Sequence, residues 1–222
     1  MTGKREGFFA AHLDPGSIFS EVLFGLIMVL TFTLGVGISI TEEEGAARAL
    51  LIAALGCNLA WGIIDGAMHV MGNLLDRGRK SRLIRQLKGL DDPAALAAIA
   101  REMDPPLRSV TDEAERARFY RGVLAVVRRS APEPTRIRGE DWMGALAASL
   151  LVFLSALPAA VPFLFLDDHY LALRLSNGLL LALLFVTGFY WAGHAGVRRW
   201  SGGLSMLLIG VLLVVVAMAL GG

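Results

Sequence analysis

Long runs without a charged side chain constrain this fold before anything else does. Val22 to Ile40, Trp142 to Leu166 and Trp200 to Gly222 carry no charge, and Leu175 to Val197 carries only His194. Ala49 to Leu75 is as apolar but holds Asn58, Asp65 and His69. About 18 such residues suffice to cross ~30 Å of hydrocarbon at ~1.5 Å per residue. Helices of a soluble bundle would show a polar stripe at every turn, and Leu179 to Val186 and Met206 to Leu220 show none. The 222 residues are 55% hydrophobic and 18% charged, against about 45–50% and about 25% in average globular chains. The sequence therefore predicts an all-α, polytopic membrane protein with five transmembrane helices, and it argues against a soluble enzyme. A single cysteine, Cys57, excludes an intrachain disulfide framework and any Cys-rich metal cluster. The first run is too long and begins too far into the chain for a cleaved signal peptide.

Basic residues set the orientation, because cytoplasmic loops retain Lys and Arg. Lys4 and Arg5, fifteen residues between Asn73 and Asp141, and Arg198 with Arg199 all fall on one side; Arg48 and Arg174 fall opposite, with Glu42, Glu43, Glu44, Asp167 and Asp168. The expected layout is a cytoplasmic N-terminal segment (1–17), transmembrane helices 1 and 2 (18–72), a cytoplasmic helical insertion (73–141) and transmembrane helices 3 to 5 (142–222). The C-terminus lies outside, and an inner bacterial membrane is the expected location.

The insertion reads as three helices. The second span continues through Asn73 to Lys88, where Arg77, Arg79, Lys80, Arg82 and Arg85 suit the helix dipole and anionic lipid headgroups. Gly89 stops it. Asp92 followed by Pro93 reads as a cap and first position of a helix to Met103, ended by Asp104, Pro105 and Pro106. A third helix runs from near Thr111 to Arg129, with Phe119, Val123 and Val126 on one apolar face and Asp112 four residues before Arg116. Glu102, Asp104, Asp112, Glu113 and Glu115 are candidates for cytoplasmic metal capture, although interleaved arginines compete for them. Aromatic interleaving of the kind that binds nucleic acid is absent, so the basic run points to lipid.

The second span carries the chemistry. An ionisable group in hydrocarbon costs about 2.5 to 3.5 kcal/mol on insertion scales, so Asp65 needs compensation. At ~100° per residue, Asn58, Gly62, Asp65 and His69 form one stripe. Gly62 and Gly66 offer a small-xxx-small surface beside it, which another backbone can approach closely. Counting depth from each helix end brings Glu21, Asp65, His69 and His194 to one level near the cytoplasmic side, with Met28 two turns beyond Glu21 on the same face. Carboxylate, imidazole and thioether groups suit divalent Fe, Mn, Zn or Co, and the same carboxylates and imidazoles relay protons.

Five helices with a cytoplasmic insertion after the second resemble the layout of the vacuolar iron transporter family, related to the yeast vacuolar iron and manganese carrier. Ser20-Glu21-Val22-Leu23-Phe24-Gly25-Leu26 is similar to that family's opening helix, Ser155-Ala156-Leu157-Pro158-Ala159-Ala160-Val161-Pro162-Phe163 to its third, and Leu208-Ile209-Gly210 to its last. The resemblance implies a homodimer whose first helices line a pathway, exporting divalent iron or manganese from the cytoplasm against protons. The metal is then a substrate, and no tightly bound cofactor is expected. Where the family's first helix places an acidic residue before glycine, this chain reads Leu26-Ile27-Met28-Val29; Asp65 on the neighbouring helix offers a carboxylate instead. A different class of protein would use the same features otherwise: a non-transporting membrane module whose stripe only fixes helix packing and whose basic insertion recruits lipid or a protein partner. An intramembrane hydrolase lacks a second aspartate, a serine–histidine pair or a zinc motif at suitable spacing.

Overall fold

The computed structural model describes residues 7–35 and 46–219. Glu42, Glu43, Glu44, Lys4, Arg5 and the C-terminus at Gly222 lie outside them. Every regular element among the described residues is helical: α1 (Phe8–His12), α2 (Pro15–Gly35), α3 (Ala46–Gly89), α4 (Asp92–Leu107), α5 (Glu113–Arg129), α6 (Gly139–Ala156), α7 (Val161–Phe165), α8 (His169–His194) and α9 (Arg199–Ala219). Four stretches are long and apolar enough to cross a membrane, namely Pro15–Thr33, Arg48–Gly89, Gly139–Phe165 and His169–His194, and Arg199–Leu213 within α9 is a shorter apolar one. The chain divides into two compact units, one of residues 1–70 with 139–222 and one of residues 71–138.

In the first unit, α2 starts earlier than its uncharged run. Asp14 accepts from the Ser17 amide at 3.1 Å and the Ser17 hydroxyl at 2.5 Å, an N-cap with Pro15 at the first helical position. These hydrogen bonds hold the Asp14 carboxyl below the usual carboxylate range. The core gathers Leu26, Val29 and Leu30 of α2, Leu51 and Ala54 of α3, Ala156 and Ala159, and Leu180 and Leu184 of α8. Helices meet through small residues: Gly188 of α8 lies against the Gly202 carbonyl of α9, where an added methyl would stand 2.6 Å away. Pro158 and Pro162 break the third apolar stretch. Residues Leu157–Ala160 tighten into a 3-10 turn between α6 and α7, and the Ala159 carbonyl is taken by the buried Ser176 hydroxyl of α8 at 2.8 Å. Thr33 of α2 donates to Asn177 Oδ1 of α8 at 2.6 Å, both side chains buried.

The second unit is a helical hairpin closed over the end of α3. Leu87, Ala95, Ile99, Tyr120 and Leu124 form its core. Four sequence expectations are corrected here. The cap of α4 is Asp91, which accepts from the Ala94 amide, and α4 continues through Pro105 and Pro106 to Leu107. A proline lacks an N–H but keeps a helical φ, so in a last turn it removes hydrogen bonds without redirecting the chain. Asp112 does not pair with Arg116 but caps α5 in a reciprocal box with Glu115, so the helix begins at Glu113. The buried face of α5 is Tyr120 and Leu124, flanked by Val123 and Val127, whereas Phe119 and Val126 are exposed. Arg128 locks the unit by donating to the Lys88 and Leu90 carbonyls, both at 2.7 Å, and to Asp92 at 3.0 Å.

Candidate functional site

The site grows from a close helix contact. On α3, Gly62 and Gly66 face α6: a methyl at Gly62 would stand 2.7 Å from the Ser149 carbonyl, and one at Gly66 2.9 Å from the Ala145 carbonyl. Ser149 seals the contact by donating to the Gly62 carbonyl at 2.7 Å. One turn further along α3, the His69 ring lies where a side chain at Gly144 would be. These three contacts run in opposite directions along the two helices, so α3 and α6 are antiparallel. On the other side of α6, Gly25 of α2 abuts Ser155 and the Val152 carbonyl. The glycine spacing thus brings α2 and α3 onto one helix within a turn or two of each other.

Between them the carboxyl groups of Glu21 and Asp65 meet within hydrogen-bonding reach. One oxygen of each, Glu21 Oε2 and Asp65 Oδ2, is buried and has no hydrogen-bond donor. Two carboxylates in contact at low dielectric repel strongly unless a proton or a cation lies between them. The pair is therefore built either to share a proton or to hold a positive charge.

Depth follows from aromatic markers. Trp142 at the start of α6, Tyr190 near the end of α8 and Trp200 at the start of α9 are exposed, as residues at a membrane interface are. The His194 ring packs tilted against Phe19 of α2, centroids 5.1 Å apart, which ties that end of α8 to the start of α2. The carboxylate pair lies level with Ser149, about 10 Å inward from Trp142 at ~1.5 Å per residue.

The remaining candidates divide. His69 stands one turn from Asp65, and both it and Asp141 have polar or ring partners in the fold. His194 Nδ1 donates to the Tyr190 carbonyl, 3.0 Å away, and its described partners do not include the carboxylate pair. Asn58 is fully buried; its Nδ2 donates to the Ala54 carbonyl at 3.0 Å while Oδ1 has no donor. An unsatisfied buried acceptor of this kind costs roughly 1–3 kcal/mol. Met28 is half-buried on α2.

In the insertion, the acidic residues are occupied by structure. Asp104 accepts from the Tyr120 hydroxyl at 2.5 Å and pairs with Arg108 and Arg116 at 3.1 and 3.5 Å. Asp112 and Glu115 form the α5 cap, and Glu102 and Glu113 are exposed. Among the described residues no group of three or more His, Cys, Asp or Glu side chains is arranged to hold a metal ion. Of the basic run, Arg77 donates to the Arg136 carbonyl and Arg85 to Ser81, while Arg79, Lys80 and Arg82 are exposed.

Three polar residues of α6 to which the sequence analysis gave no role lie at or beside these helix contacts. Ser149 stands against Gly62 and Gly66 of α3, and Ser155 against Gly25 of α2. Asp141, expected to end the insertion, is instead a buried carboxylate in the first turn of α6, one turn before Gly144.

A sequence profile of the VIT family matches residues 78–222. No curated protein matches the chain.

Proposed function

The chain belongs to the VIT family, whose members move metal ions across membranes and are not enzymes, and from that premise we propose that it exports a divalent transition-metal ion, iron or manganese, from the cytoplasm in exchange for protons. The observation that carries this reading is the Glu21–Asp65 pair, two carboxyl groups in contact inside an apolar bundle with an unpartnered oxygen on each. A carboxylate pair that must bind either protons or a cation couples the two flows by competition alone. The missing carboxylate of the family's first helix is replaced by Asp65 meeting Glu21 from α3.

In this reading Asp65 is the main ligand or proton acceptor, and Glu21 and His69 stand at the cytoplasmic mouth. The protein has five spans, α9 being ~31 Å long at 21 residues, with its N-terminus inside and C-terminus outside. Two carboxylates do not complete a divalent site, so a second copy contributes the rest in a homodimer. Arg79, Lys80 and Arg82 rest on anionic headgroups beside the membrane.

Transport into proteoliposomes tests the proposal. Purified protein with an outward-facing insertion should drive Mn²⁺ or Fe²⁺ uptake under a pH gradient, and Asp65→Asn and Glu21→Gln should each lower it on the order of 100-fold. Unchanged transport in both variants sinks the carrier reading. If instead the wild-type protein moves no Fe, Mn, Zn or Co and Asp65→Asn alters only thermal stability, the chain is a packing module that recruits lipid or a partner.

A further inference from the structure

The carboxylate pair accounts for the cytoplasmic third of the bundle and leaves one buried group without a role. Asn58 sits on the Asp65 stripe, two turns outward, about 10 Å along α3. Its amide nitrogen is spent on the Ala54 carbonyl, and its Oδ1, fully buried, has no donor. Because α3 and α6 are antiparallel and Gly62 abuts Ser149, Asn58 one turn beyond Gly62 stands level with residues 152–155 of α6. That is where Gly25 brings α2 against Ser155, whose hydroxyl donates to the Val152 carbonyl at 2.8 Å and keeps its lone pairs. Two acceptors, an amide oxygen and a hydroxyl, thus share one level in an otherwise apolar core of Leu26, Val29, Ala54 and Ala156.

We propose that Asn58 anchors a bound water at this level and that this water heads a short file leading to Asp65, the route by which protons from the outer side reach the carboxylate pair. This rests on the exchange reading above and adds the proton's separate path. A water that donates to Asn58 Oδ1 satisfies the orphan acceptor, as buried waters commonly do. About three waters at ~2.8 Å spacing bridge the remaining distance to Asp65. A proton arriving from outside joins the anchored water; along the file each O–H bond that breaks is matched by one that forms, and the last proton bonds to a carboxylate oxygen of the pair as the cation leaves. No co-reactant is needed.

The chemistry assigns this station to protons and not to the metal. Among the described residues, the helices around the stripe carry Glu21 on α2, Arg48, Cys57, Asp65 and His69 on the membrane part of α3, Glu140 and Asp141 in the first turn of α6, and His169, Arg174 and His194 on α8. No carboxylate, imidazole or cation among these lies level with Asn58; the Cys57 thiol does, but about 100° away around the helix. A divalent charge there would meet only neutral dipoles in low dielectric, whereas a water file carries a single charge in steps.

The test reads binding and proton flux separately. Full-length protein is titrated with Mn²⁺ in detergent by calorimetry and then reconstituted with a pH dye inside the vesicles. Asn58→Leu, which keeps volume and removes the acceptor, should bind Mn²⁺ within twofold of wild type but lose metal-coupled proton flux at least tenfold. Asn58→Ser, which keeps an acceptor and leaves room for water, should retain flux within threefold. Proton flux in Asn58→Leu within threefold of wild type overturns the relay, and loss of Mn²⁺ binding in that variant overturns it in favour of a metal ligand. If Asn58→Leu does not fold, Asn58→Ala replaces it, and equal flux in the alanine and serine variants is the overturning result. Failure of the carrier reading shows elsewhere, as wild-type transport that survives Asp65→Asn.

Discussion

The two units of this chain treat carboxylates in opposite ways. In the insertion each acid with a structural role is matched: Asp91 and Asp112 cap helices, Asp92 and Asp104 meet arginines, and Asp104 also takes the Tyr120 hydroxyl. In the membrane unit Glu21 and Asp65 meet each other and leave an oxygen apiece without a donor. Natural cores rarely leave buried polar atoms unmatched, and the imbalance falls where it costs most. The difference separates acids matched by donors from acids without them, and Asp104, Asp112 and Glu115 fall on the matched side.

The sharpest way to break this contrast is to neutralise one acid of each kind. Asp65→Asn relieves repulsion inside the bundle, so it should raise the detergent Tm by about 2–4 °C, the shift expected for ~1 kcal/mol in a chain of this size, while transport falls on the order of 100-fold. Asp104→Asn should do the reverse: a lower Tm with transport within a few-fold of wild type. Paired melting curves and flux assays decide it. If both variants lower Tm, the pair in the membrane is a structural bond and the contrast fails.

A second perturbation acts on the scaffold beneath the pair. Gly66 lies 2.5 Å, measured from an added methyl, from the Ser149 hydroxyl and 2.9 Å from the Ala145 carbonyl. Gly66→Leu forces α3 away from α6 and should destabilise the bundle by about 2–3 kcal/mol, seen as loss of a monodisperse detergent peak. Gly72, with open space beside it, should accept alanine without such loss. Equal behaviour of the two would mean that the α3–α6 contact does not hold the site.

How much of this was legible beforehand follows the range of each interaction. The apolar spans, the stop at Gly89 and the small-residue surface at Gly62 and Gly66 depend on neighbours in sequence, and they could be read there. Counting depth also put Glu21 and Asp65 at one height, since a straight helix converts position into height, but it could not say that the two side chains meet. What failed needed a tertiary partner. Phe119 outranks Tyr120 in hydrophobicity, yet Tyr120 is buried because its hydroxyl finds Asp104, which turns α5 by one residue. Asp112 beside Arg116 looked like an ion pair, but Asp104 and the Thr111 carbonyl claim that guanidinium. Height says nothing of what His194 touches, and its described contacts are the Phe19 ring and the Tyr190 carbonyl. Serines 149 and 155 carry no signal alone, because serine in an apolar helix usually bonds its own backbone.

Smaller effects test the insertion's half of the contrast. Asp112→Ala removes the acceptor for the Glu115 amide and should cost about 1 kcal/mol, read as faster amide exchange in the first turn of α5. Metal affinity should not change. A measurable loss of Mn²⁺ binding in this variant would return Asp112 to the capture role and blur the division between the units.

The mildest prediction concerns pH. The Tyr120 hydroxyl, with Arg108 and Arg116, holds the Asp104 carboxyl below its ordinary value of 3.8, and burial with that same hydrogen bond pushes Tyr120 above its ordinary 10.0. For a depressed acid, the stabilisation is complete above the unfolded value and is lost as pH falls through the lower folded one. For the raised phenol it is complete below pH 10 and is lost as pH rises through the higher folded value. The α4–α5 hairpin should therefore hold constant stability from about pH 5 to 9 and loosen at both extremes, and Tyr120→Phe should flatten both arms. Exchange of amides around Leu107 and Tyr120 across pH 3 to 8, corrected for intrinsic rates, measures the acid arm in the intact protein. A Tyr120→Phe variant that keeps the wild-type acid response would show that the arginines alone hold Asp104, and the match between acid and hydroxyl that sets this unit apart from the membrane pair would lose its strongest member.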